Sequence, residues 1–555
     1  MIRPGTSPDV RETRVAALEA DEFDLLVIGG GVTGCGVARD AALRGLRVAL
    51  VEKNDFASGT SSRSSRLVHG GLRYLEHGHL RLVFESSAER RRLLELAPHL
   101  VRPVAFTWPV YEGARVGAWK LTAGLALYDA LALFRNVGRH RRLSAAEVVA
   151  REPRLRRDGL VGGASYFDAA TDDARLTLAN ALGAAAAGAV VVNYAEVRGF
   201  RSVPVDGASV IDRRTGRVLE VWARVVVNAS GPWSDTLRRL ESAAAGDGAR
   251  GPMGPPMIRG STGVHIAVPR ERVGNRGALT LLSPVDGRVM FVLPDAVHTV
   301  VGTTETPTTV SPDDVRATEQ DVAYLLESAN RFFPEARLTE ADVVSAWAGI
   351  RPLAAAAAPG ELGSASREHT ISHGPGGVIA ITGGKLTTYR VMAAQVVDAV
   401  ERRLGRSARR APTADAPLPG GDVASLPAEL AAARDATGAD DIAHRLVYAY
   451  GNAWKDVWKC ATDSPNGASR IVPGLPYLMG EMVYAVEREL ACTLGDLLIR
   501  RTRIAFETAD HGWSTAPAVA DAAAPVLGWD ARRKEPELEE FRAEIGRVFE
   551  IERGE

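Results

Sequence analysis

A short segment near the N-terminus carries several groups that could do chemistry together. It reads His69-Gly70-Gly71-Leu72-Arg73-Tyr74, and so combines an imidazole, a guanidinium and a phenol with two glycines. A single histidine is usually structural, but paired glycines would admit a flat ring beside this one. Two later segments, 260–265 and 383–385, again place a histidine or a lysine after glycines. These residue types predict acid–base chemistry and anion binding beside a planar ligand.

The elements that would position this chemistry begin with a glycine turn. An apolar strand from residue 24 is followed by Gly29-x-Gly31-x-x-Gly34, a helix, and a second apolar strand that ends at Glu52. Gly29 permits a tight turn, Gly31 lets a pyrophosphate approach the backbone, and Gly34 lets helix and strand pack closely. The helix N-terminus favours the pyrophosphate, and Glu52 would accept the ribose hydroxyls. The glycines could instead belong to a turn in some other kind of α/β domain. That alternative does not explain why Glu52 stands at the end of the second strand.

Two further stretches are suited to lie along an extended ligand. Residues 58–66 are rich in hydroxyl groups and small side chains, and by themselves could equally form a solvated loop. The strand from Ala223 ends in Asn228-Ala-Ser-Gly-Pro-Trp233. Small residues at the carboxyl end of a strand let a cofactor pass close by, at the edge where open α/β sheets bind ligands.

Composition excludes several classes of function. The net charge of −1 argues against bulk attraction to nucleic acid. The cysteines, at 35, 460 and 492, have neither a disulfide pattern nor metal-ligand spacing, so we expect no metal. Residues 1–22 are polar and lack an apolar signal core, which predicts a protein of the reducing cytoplasm.

A chain of 555 residues exceeds one hydrophobic core and predicts two or three domains. The fold class is α/β: a Rossmann-like cofactor-binding domain, a cap domain with an antiparallel sheet predicted from alternating runs at 278–303, and a C-terminal all-helical domain. We assign 23–74, 160–232 and 340–404 to the cofactor-binding domain, 75–159 and 233–339 to the substrate-binding cap, 428–555 to the helical domain, 1–22 to a polar N-terminal extension and 405–427 to a linker.

The chain resembles the FAD-dependent glycerol-3-phosphate dehydrogenases, within the wider D-amino-acid-oxidase-like flavoprotein group. Besides the glycine turn, the matching motifs are Thr60-Ser-Ser, His69 to Glu76, Asp172 to Leu176, Asn228 to Trp233, Gly260 to His265, Gly302 to Thr304, Gly349 to Pro352 and Gly383 to Arg390. The runs 69–76 and 383–390 are specific to this family, whereas many flavin and nicotinamide enzymes share the glycine turn. Glu305 and Arg66 stand where the family often has Asp and Lys.

The resemblance implies oxidation of sn-glycerol 3-phosphate to dihydroxyacetone phosphate, with hydride transfer from C2 to N5 of a non-covalent FAD. It implies that Arg351 and Arg367 clamp the phosphate. It implies that Arg73, Tyr74 and Lys385 are further substrate contacts near the reacting carbon. His265 is the expected base and substrate contact; His69 is the second candidate and is expected to pack on the flavin. The expected cofactor contacts are Gly29, Gly31, Gly34, Glu52, Thr60, Ser61, Ser62, Ser65, His69, Gly70, Val197, Ala229, Ser230, Gly231, Trp233, Thr304, Gly349, Gly384, Lys385, Leu386 and Thr387.

The resemblance also implies that electrons pass to a membrane quinone through a peripheral, non-spanning association. The amphipathic helix 385–403 either lies on a bilayer or packs inward, and the apolar run 121–134 is either a buried helix or a surface that enters one leaflet. The expected location is the cytoplasm, at the inner face of the cell membrane if the protein docks there.

Three alternatives remain: an oxidase that uses oxygen, a flavoenzyme that oxidises an amino acid or hydroxy acid, and a non-catalytic flavin-binding scaffold. The sequence has no large inserted segment of the kind associated with the oxidases of this group, which favours the dehydrogenase over the oxidase. The oligomeric state stays open, a homodimer included.

Overall fold

A computed structural model describes residues 8–76, 78–133, 136–245, 255–355 and 368–554, apart from the side chains of residues 8, 9 and 73. The strands are β1 (Glu22–Ile28), β2 (Val48–Val51), β3 (Leu67–Val68), β4 (Val101–Tyr111), β5 (Arg141–Ser144), β6 (Leu160–Thr171), β7 (Val190–Val192), β8 (Ala195–Phe200), β9 (Gly207–Asp212), β10 (Val218–Asn228), β11 (Ile258–Pro269), β12 (Ala278–Leu282), β13 (Val289–Pro294), β14 (His298–Gly302), β15 (Thr306–Pro307), β16 (Ala317–Thr318), β17 (Ser345–Ala354), β18 (His369–His373), β19 (Ile379–Gly383) and β20 (Ile551–Glu552).

The helices are α1 (Pro8–Ala20), α2 (Val32–Leu43), α3 (Leu80–Leu96), α4 (Ala118–Leu131), α5 (Ala145–Arg151), α6 (Asp173–Ala186), α7 (Ser234–Ala244), α8 (Arg270–Val273), α9 (Glu319–Phe332), α10 (Tyr389–Arg403), α11 (Leu426–Thr437), α12 (Asp440–Tyr450), α13 (Trp454–Asp463), α14 (Met479–Arg488), α15 (Ile504–Glu507), α16 (Ala516–Leu527) and α17 (Ala531–Phe549).

The first sheet has the order β18-β19-β10-β1-β2-β7 and is parallel from β19 to β7. Its central strand β1 is buried along both faces, which explains the unbroken apolar run in the sequence. Helices α2, α6 and α10 share one hydrophobic core with this sheet. The carboxyl ends of β1, β2 and β10 meet at one edge, where open parallel sheets bind ligands.

The second sheet has the order β15-β11-β14-β13-β12-β4-β6-β3, with β17 on β11 and β5 on β6. Its pairs are antiparallel except β12 with β4. The domain limits predicted from the sequence differ here: β6 and β17 fall in ranges assigned to the cofactor-binding domain, yet both strands belong to this cap sheet. Their apolar patterns suit either sheet, and only long-range pairing selects the partner.

The C-terminal domain is helical from α11 to α17, with one π-helical turn at Asp496–Arg501 and a two-residue strand, β20, on β16. Together, the Rossmann-like sheet, the cap sheet and these helices confirm the predicted fold class. The predicted linker packs closely on the first domain: its Thr413 donates a hydrogen bond to Asp40, and Leu418 is buried.

Helix α10 packs inward, so the alternative that it lies on a bilayer is wrong. Met392, Val396 and Val400 are buried in the core of the first domain. Arg390 on the same helix is buried and donates to both carboxylate oxygens of Glu89, at 2.7 and 2.6 Å.

Helix α4 covers most of the apolar run 121–134 and is half exposed. Leu121 and Leu125 are buried, whereas Trp119 is 80% and Leu127 43% exposed. No described helix is both long and apolar enough to cross a bilayer.

Candidate functional site

The glycine turn joins β1 to α2 and is closed on one side and open on the other. Gly29 has φ +112°, which favours glycine, and a Cβ there would lie 2.7 Å from the carbonyl oxygen of Ala229. A Cβ on Gly34 would lie 1.9 Å from the carbonyl oxygen of Gly29. At Gly31 a Cβ would meet only Ser61 Oγ, at 3.3 Å, among the described atoms. The turn is therefore open at the point where a pyrophosphate would approach.

Glu52 follows β2 and fastens the turn. Its Oε2 accepts the backbone N–H of Gly30 at 2.6 Å, and its Oε1 accepts that of Asn54 at 2.8 Å. Burial raises the pKa of this carboxyl, while the two N–H donors oppose the rise. Each carboxylate oxygen can accept a further hydrogen bond, so ribose hydroxyls can donate to Glu52.

A groove of about 630 Å³ runs from Glu52 past the turn to the start of the helical segment after β19. Thirteen of the predicted cofactor contacts line it: Gly29, Gly31, Glu52, Thr60, Ser61, Val197, Ala229, Ser230, Gly231, Trp233, Gly384, Lys385 and Leu386. An extended dinucleotide fits a groove that offers an acid at one end, an open glycine backbone in the middle and a cation at the other end.

Three side chains close the groove near Glu52. Lys53 Nζ lies 2.7 Å from Asp313 Oδ1 and 4.3 Å from the centre of the Trp233 ring. Trp233 Nε1 donates to Asp313 Oδ2 at 3.1 Å. This clasp joins the end of β2 to a loop of the cap across the groove.

A second, smaller cavity of about 130 Å³ lies under the cap sheet. Aromatic walls come from Phe106, Trp108, Tyr166 and Phe291, and its polar groups include Ser65, His69, Tyr74, Arg288, Thr303 and Arg351. Lys385 connects it to the groove, because Lys385 lines the groove and its Nζ lies 3.8 Å from the ring centre of Tyr74.

Arg351 is the best-placed cation of the small cavity. Strand β17 pairs with β11 and brings Arg351 opposite Ser261. The guanidinium is held from one side, since Nη2 donates to Thr303 Oγ1 at 2.8 Å and to the Thr304 carbonyl at 3.1 Å. Arg288 lies at the same cavity and donates to the carbonyl of Glu305 at 2.6 Å. Two guanidiniums thus make the cavity suited to a phosphate or carboxylate.

His265 lies one side chain behind the cavity wall. It is buried on β11 with its ring stacked on Trp347, 5.5 Å between centres. Nε2 shares a 2.9 Å hydrogen bond with Ser65 Oγ, and Ser65 lines the cavity. Within the described chain the buried Nδ1 has no hydrogen-bond partner. Burial, with Arg351 and Arg66 nearby, lowers the pKa of His265 to about 3, so the ring is neutral.

The backbone after His69 is held by a buried network. Asp168 Oδ1 accepts the N–H of Gly70 at 3.2 Å and the hydroxyl of Tyr128 at 2.7 Å, and pairs with Arg90. A Cβ on Gly70 would lie 2.3 Å from the Tyr128 oxygen, so only glycine fits. The network keeps His69 at the cavity.

The remaining predicted cofactor contacts do not line the groove. Gly34, Ser62, Gly70 and Thr304 support the walls, and Gly349 packs on Arg63. Thr387 Oγ1 bridges the backbone N–H and carbonyl of His69 at 3.1 and 3.2 Å. The side chain of Arg73 and the whole of Arg367 lie outside the described residues.

Sequence reasoning missed Arg288, Arg90 and Tyr128. Arg288 begins an alternating strand run, and a charge there was the available signal. Arg90 lies on α3 and Tyr128 on α4, and nothing in the local sequence points to their shared contact with Asp168.

Comparison with known families divides the chain in two. Residues 24–390 match the family described as FAD dependent oxidoreductase. Residues 411–534 match the family described as C-terminal domain of alpha-glycerophosphate oxidase. The first match includes the glycine turn, the groove and the small cavity.

Individual relatives extend over nearly the whole chain. A glycerol-3-phosphate dehydrogenase of Synechocystis is 37% identical over 94% of this chain and 95% of its own. Glycerol-3-phosphate dehydrogenase 2 of Mycobacterium tuberculosis is 38% identical over 97% and 90%. The glycerol-3-phosphate dehydrogenase structure from Bacillus halodurans, complexed with FAD, superposes with a TM-score of 0.79 at 33% identity and 98% coverage of both chains. With a dinucleotide groove beside an aromatic, cationic cavity, these matches establish that the chain belongs to the FAD-dependent glycerol-3-phosphate dehydrogenases.

Proposed function

We propose that the protein oxidises sn-glycerol 3-phosphate to dihydroxyacetone phosphate and passes the electrons to a quinone. The observation that carries this proposal is the fixed guanidinium of Arg351 in a small cavity that Lys385 joins to the cofactor groove. The relatives named glycerol-3-phosphate dehydrogenase support the choice of substrate. FAD, bound non-covalently in the groove, supplies a hydride acceptor at its ring N5.

The protein's part begins with orienting the substrate. Arg351 takes the phosphate, and Thr303 and Thr304 keep its guanidinium turned in one direction. The family resemblance assigns the remaining phosphate and carbinol contacts to Arg73 and Arg367, with Tyr74 as a further contact. Lys385, over the Tyr74 ring, provides positive charge near C2 and the flavin edge, where negative charge develops.

The 2-hydroxyl proton goes to His265. Because this ring is neutral, Nε2 can accept a proton from the Ser65 hydroxyl, which takes the substrate's proton in turn at the cavity. His69, which lines the small cavity, would hold the flavin ring and is the alternative base.

Replacing His265 with glutamine is expected to lower kcat about 100-fold or more, because the general base is lost while the ring volume is partly kept. Flavin content should stay unchanged, since His265 lies outside the groove lining. Steady-state kinetics and the flavin absorbance of the purified variant measure both quantities.

His298→Gln is the matched control, because His298 is a buried histidine on the neighbouring strand β14 and does not line the small cavity.

The lowered pKa of His265, about 3, also predicts that kcat/KM shows no acid limb near pH 6.5 from this residue. Normal turnover of the His265 variant would move the role of base to His69.

The decisive test of the reaction is anaerobic. sn-Glycerol 3-phosphate should bleach the yellow protein, and an added quinone analogue should restore the colour. A yellow protein that the substrate never bleaches would favour a non-catalytic scaffold, and bleaching by an amino or hydroxy acid alone would favour that class of enzyme. Acid precipitation should release all the colour if the flavin is non-covalent.

An exposed apolar surface at α3 and α4 supports a membrane quinone as acceptor. Phe84 is 46%, Trp119 80% and Leu127 43% exposed, with the exposed cations Arg81 and Lys120 beside them. The same helices pack in one core with Tyr74 of the small cavity. Such a surface suits the interface of an anionic bilayer, close to the flavin.

Replacing both Trp119 and Leu127 with serine is expected to weaken binding to anionic vesicles at least about 10-fold, because burial of each apolar side chain is lost. Flotation with phosphatidylglycerol vesicles measures this, and Val218→Ser, equally apolar and 58% exposed on β10, is the control. Equal flotation of all three proteins would remove this surface from the proposal.

A glycerol-3-phosphate oxidase is the second candidate, favoured by the match of residues 411–534 to the C-terminal domain of alpha-glycerophosphate oxidase. An oxidase would produce one peroxide per substrate in air without a quinone analogue. The dehydrogenase should turn over slowly in air and produce little peroxide.

Asp313→Asn is expected to speed FAD release several-fold. The change removes the ion pair with Lys53 and weakens the hydrogen bond from Trp233. Because the side chains of Lys53 and Asp313 are partly exposed, we expect a moderate effect. Flavin fluorescence after dilution measures release. Asp314→Asn, one residue along the same loop, is the control, and equal release rates would show that the clasp does not retain the cofactor.

A further inference from the structure

A third cavity, of about 620 Å³, lies where all three domains meet. Its walls come from the cofactor-binding domain, the cap and helix α17. The clasp of Lys53, Trp233 and Asp313 stands between this cavity and the cofactor groove, since these residues line both. Arg63 and Arg547 line the third cavity and neither the groove nor the small cavity.

The walls of this three-domain cavity carry more positive than negative charge. The cations are Lys53, Arg63, Arg213, Arg214, Arg500 and Arg547, and the carboxylates are Glu196, Asp313, Glu540 and Glu544. Among these groups Asp313 pairs with Lys53, Glu196 with Arg213, Glu540 with Arg214 and Glu544 with Arg500. Arg214 also pairs with Glu537, and Arg500 with Asp55 and Asp496, which do not line the cavity.

Arg63 and Arg547 remain without a carboxylate partner in the part of the chain that the structure describes. Arg63 is half-buried and makes one long hydrogen bond, 3.4 Å, to the carbonyl of Ala348. Burial lowers the pKa of Arg63 to about 10; the nearby carboxylate of Glu544 opposes this fall, and Arg500 and Arg547 contribute to it. Two guanidiniums that line one cavity without a carboxylate partner are suited to bind phosphate oxygens.

We propose that the three-domain cavity binds a small phosphate-bearing polyanion, held by Arg63 inside and Arg547 at the rim. Phosphate oxygens match the planar donor fork of arginine, and neither Arg63 nor Arg547 has a carboxylate partner among the described residues to compete with a phosphate. The site is separate from the substrate cavity, so a bound anion would connect α17 to the cofactor-binding domain next to the clasp.

Calorimetric titration of the FAD-saturated protein with inorganic pyrophosphate tests this site. Wild type should bind pyrophosphate, and Arg63→Met and Arg547→Met should each weaken binding about 10-fold or more, as expected for loss of a charged hydrogen bond. Arg532→Met, an exposed arginine at the start of α17, should bind as wild type does. Arg547 is exposed, so its variant should fold, and flavin content and Tm verify this.

Arg351→Ala separates this site from the substrate cavity, which also attracts phosphate. Pyrophosphate binding that persists in Arg351→Ala and disappears in the Arg63 and Arg547 variants supports the proposal. Binding that is absent from wild type, that survives both variants, or that disappears only with Arg351 overturns it. None of these outcomes changes the anaerobic bleaching test of the proposed reaction.

Discussion

Arg351→Ala is expected to raise the KM for sn-glycerol 3-phosphate about 100-fold, because truncating one partner of a buried, hydrogen-bonded charge pair costs about 2–5 kcal/mol. The guanidinium is already held by Thr303 and Thr304, so little entropy is lost when it binds the phosphate. Steady-state kinetics measure KM, and substrate-induced bleaching at several concentrations gives the binding constant separately.

Two companion variants sharpen this test. Arg351→Lys keeps the charge but loses the bidentate geometry, and should fall between wild type and alanine. Arg259→Ala removes an exposed arginine from the paired strand β11 and should leave KM unchanged. An unchanged KM in Arg351→Ala, or a fall in kcat alone, would show that the phosphate binds elsewhere.

Asp55→Asn is expected to destabilise the protein by about 3–5 kcal/mol, because it leaves buried arginines short of a partner. Asp55 is fully buried after β2; its Oδ2 accepts from Arg500 Nε at 2.7 Å and from Arg501 Nη1 at 2.6 Å, and Asn193 donates to Oδ1 at 3.0 Å. This network joins the helical domain to the cofactor-binding domain. Denaturant unfolding followed by flavin release and circular dichroism measures the loss.

The pH dependence of this effect has a definite sign. Burial alone would raise the pKa of Asp55, but Arg501 and Arg500 outweigh burial and hold the pKa below its ordinary value. The stability it contributes is therefore present above about pH 4 and lost as the pH falls further. The difference between wild type and Asp55→Asn should shrink in that window. Glu95→Gln, which breaks an exposed pair with Arg91, is the control and should cost at most about 1 kcal/mol.

The glycine turn shows what local sequence can predict well. Gly29, Gly31, Gly34 and Glu52 lie within one βαβ unit, so their spacing alone fixes which atoms meet. The family and the FAD-dependent class were confirmed for the same reason, since the motifs are short and contiguous. The environment of helix α10 could not be predicted, because an amphipathic pattern suits a bilayer surface and a protein core equally. The buried ion pair of Arg390 with Glu89 in the structure decides for the core.

The sequence by itself determined the α/β class, the dinucleotide turn and the family, because each depends on residues close together in the chain. Only the tertiary structure decided the rest. Strand β17 had to pair with β11 to bring Arg351 to the small cavity, and Arg500 had to cross to Asp55 from a distant helix. Arg63 and Arg547, the two arginines proposed to bind an anion in the three-domain cavity, also come from separate domains. Contacts of this kind leave no periodic or spacing signal, since the free energy that selects them comes from burial and charge pairing between distant segments.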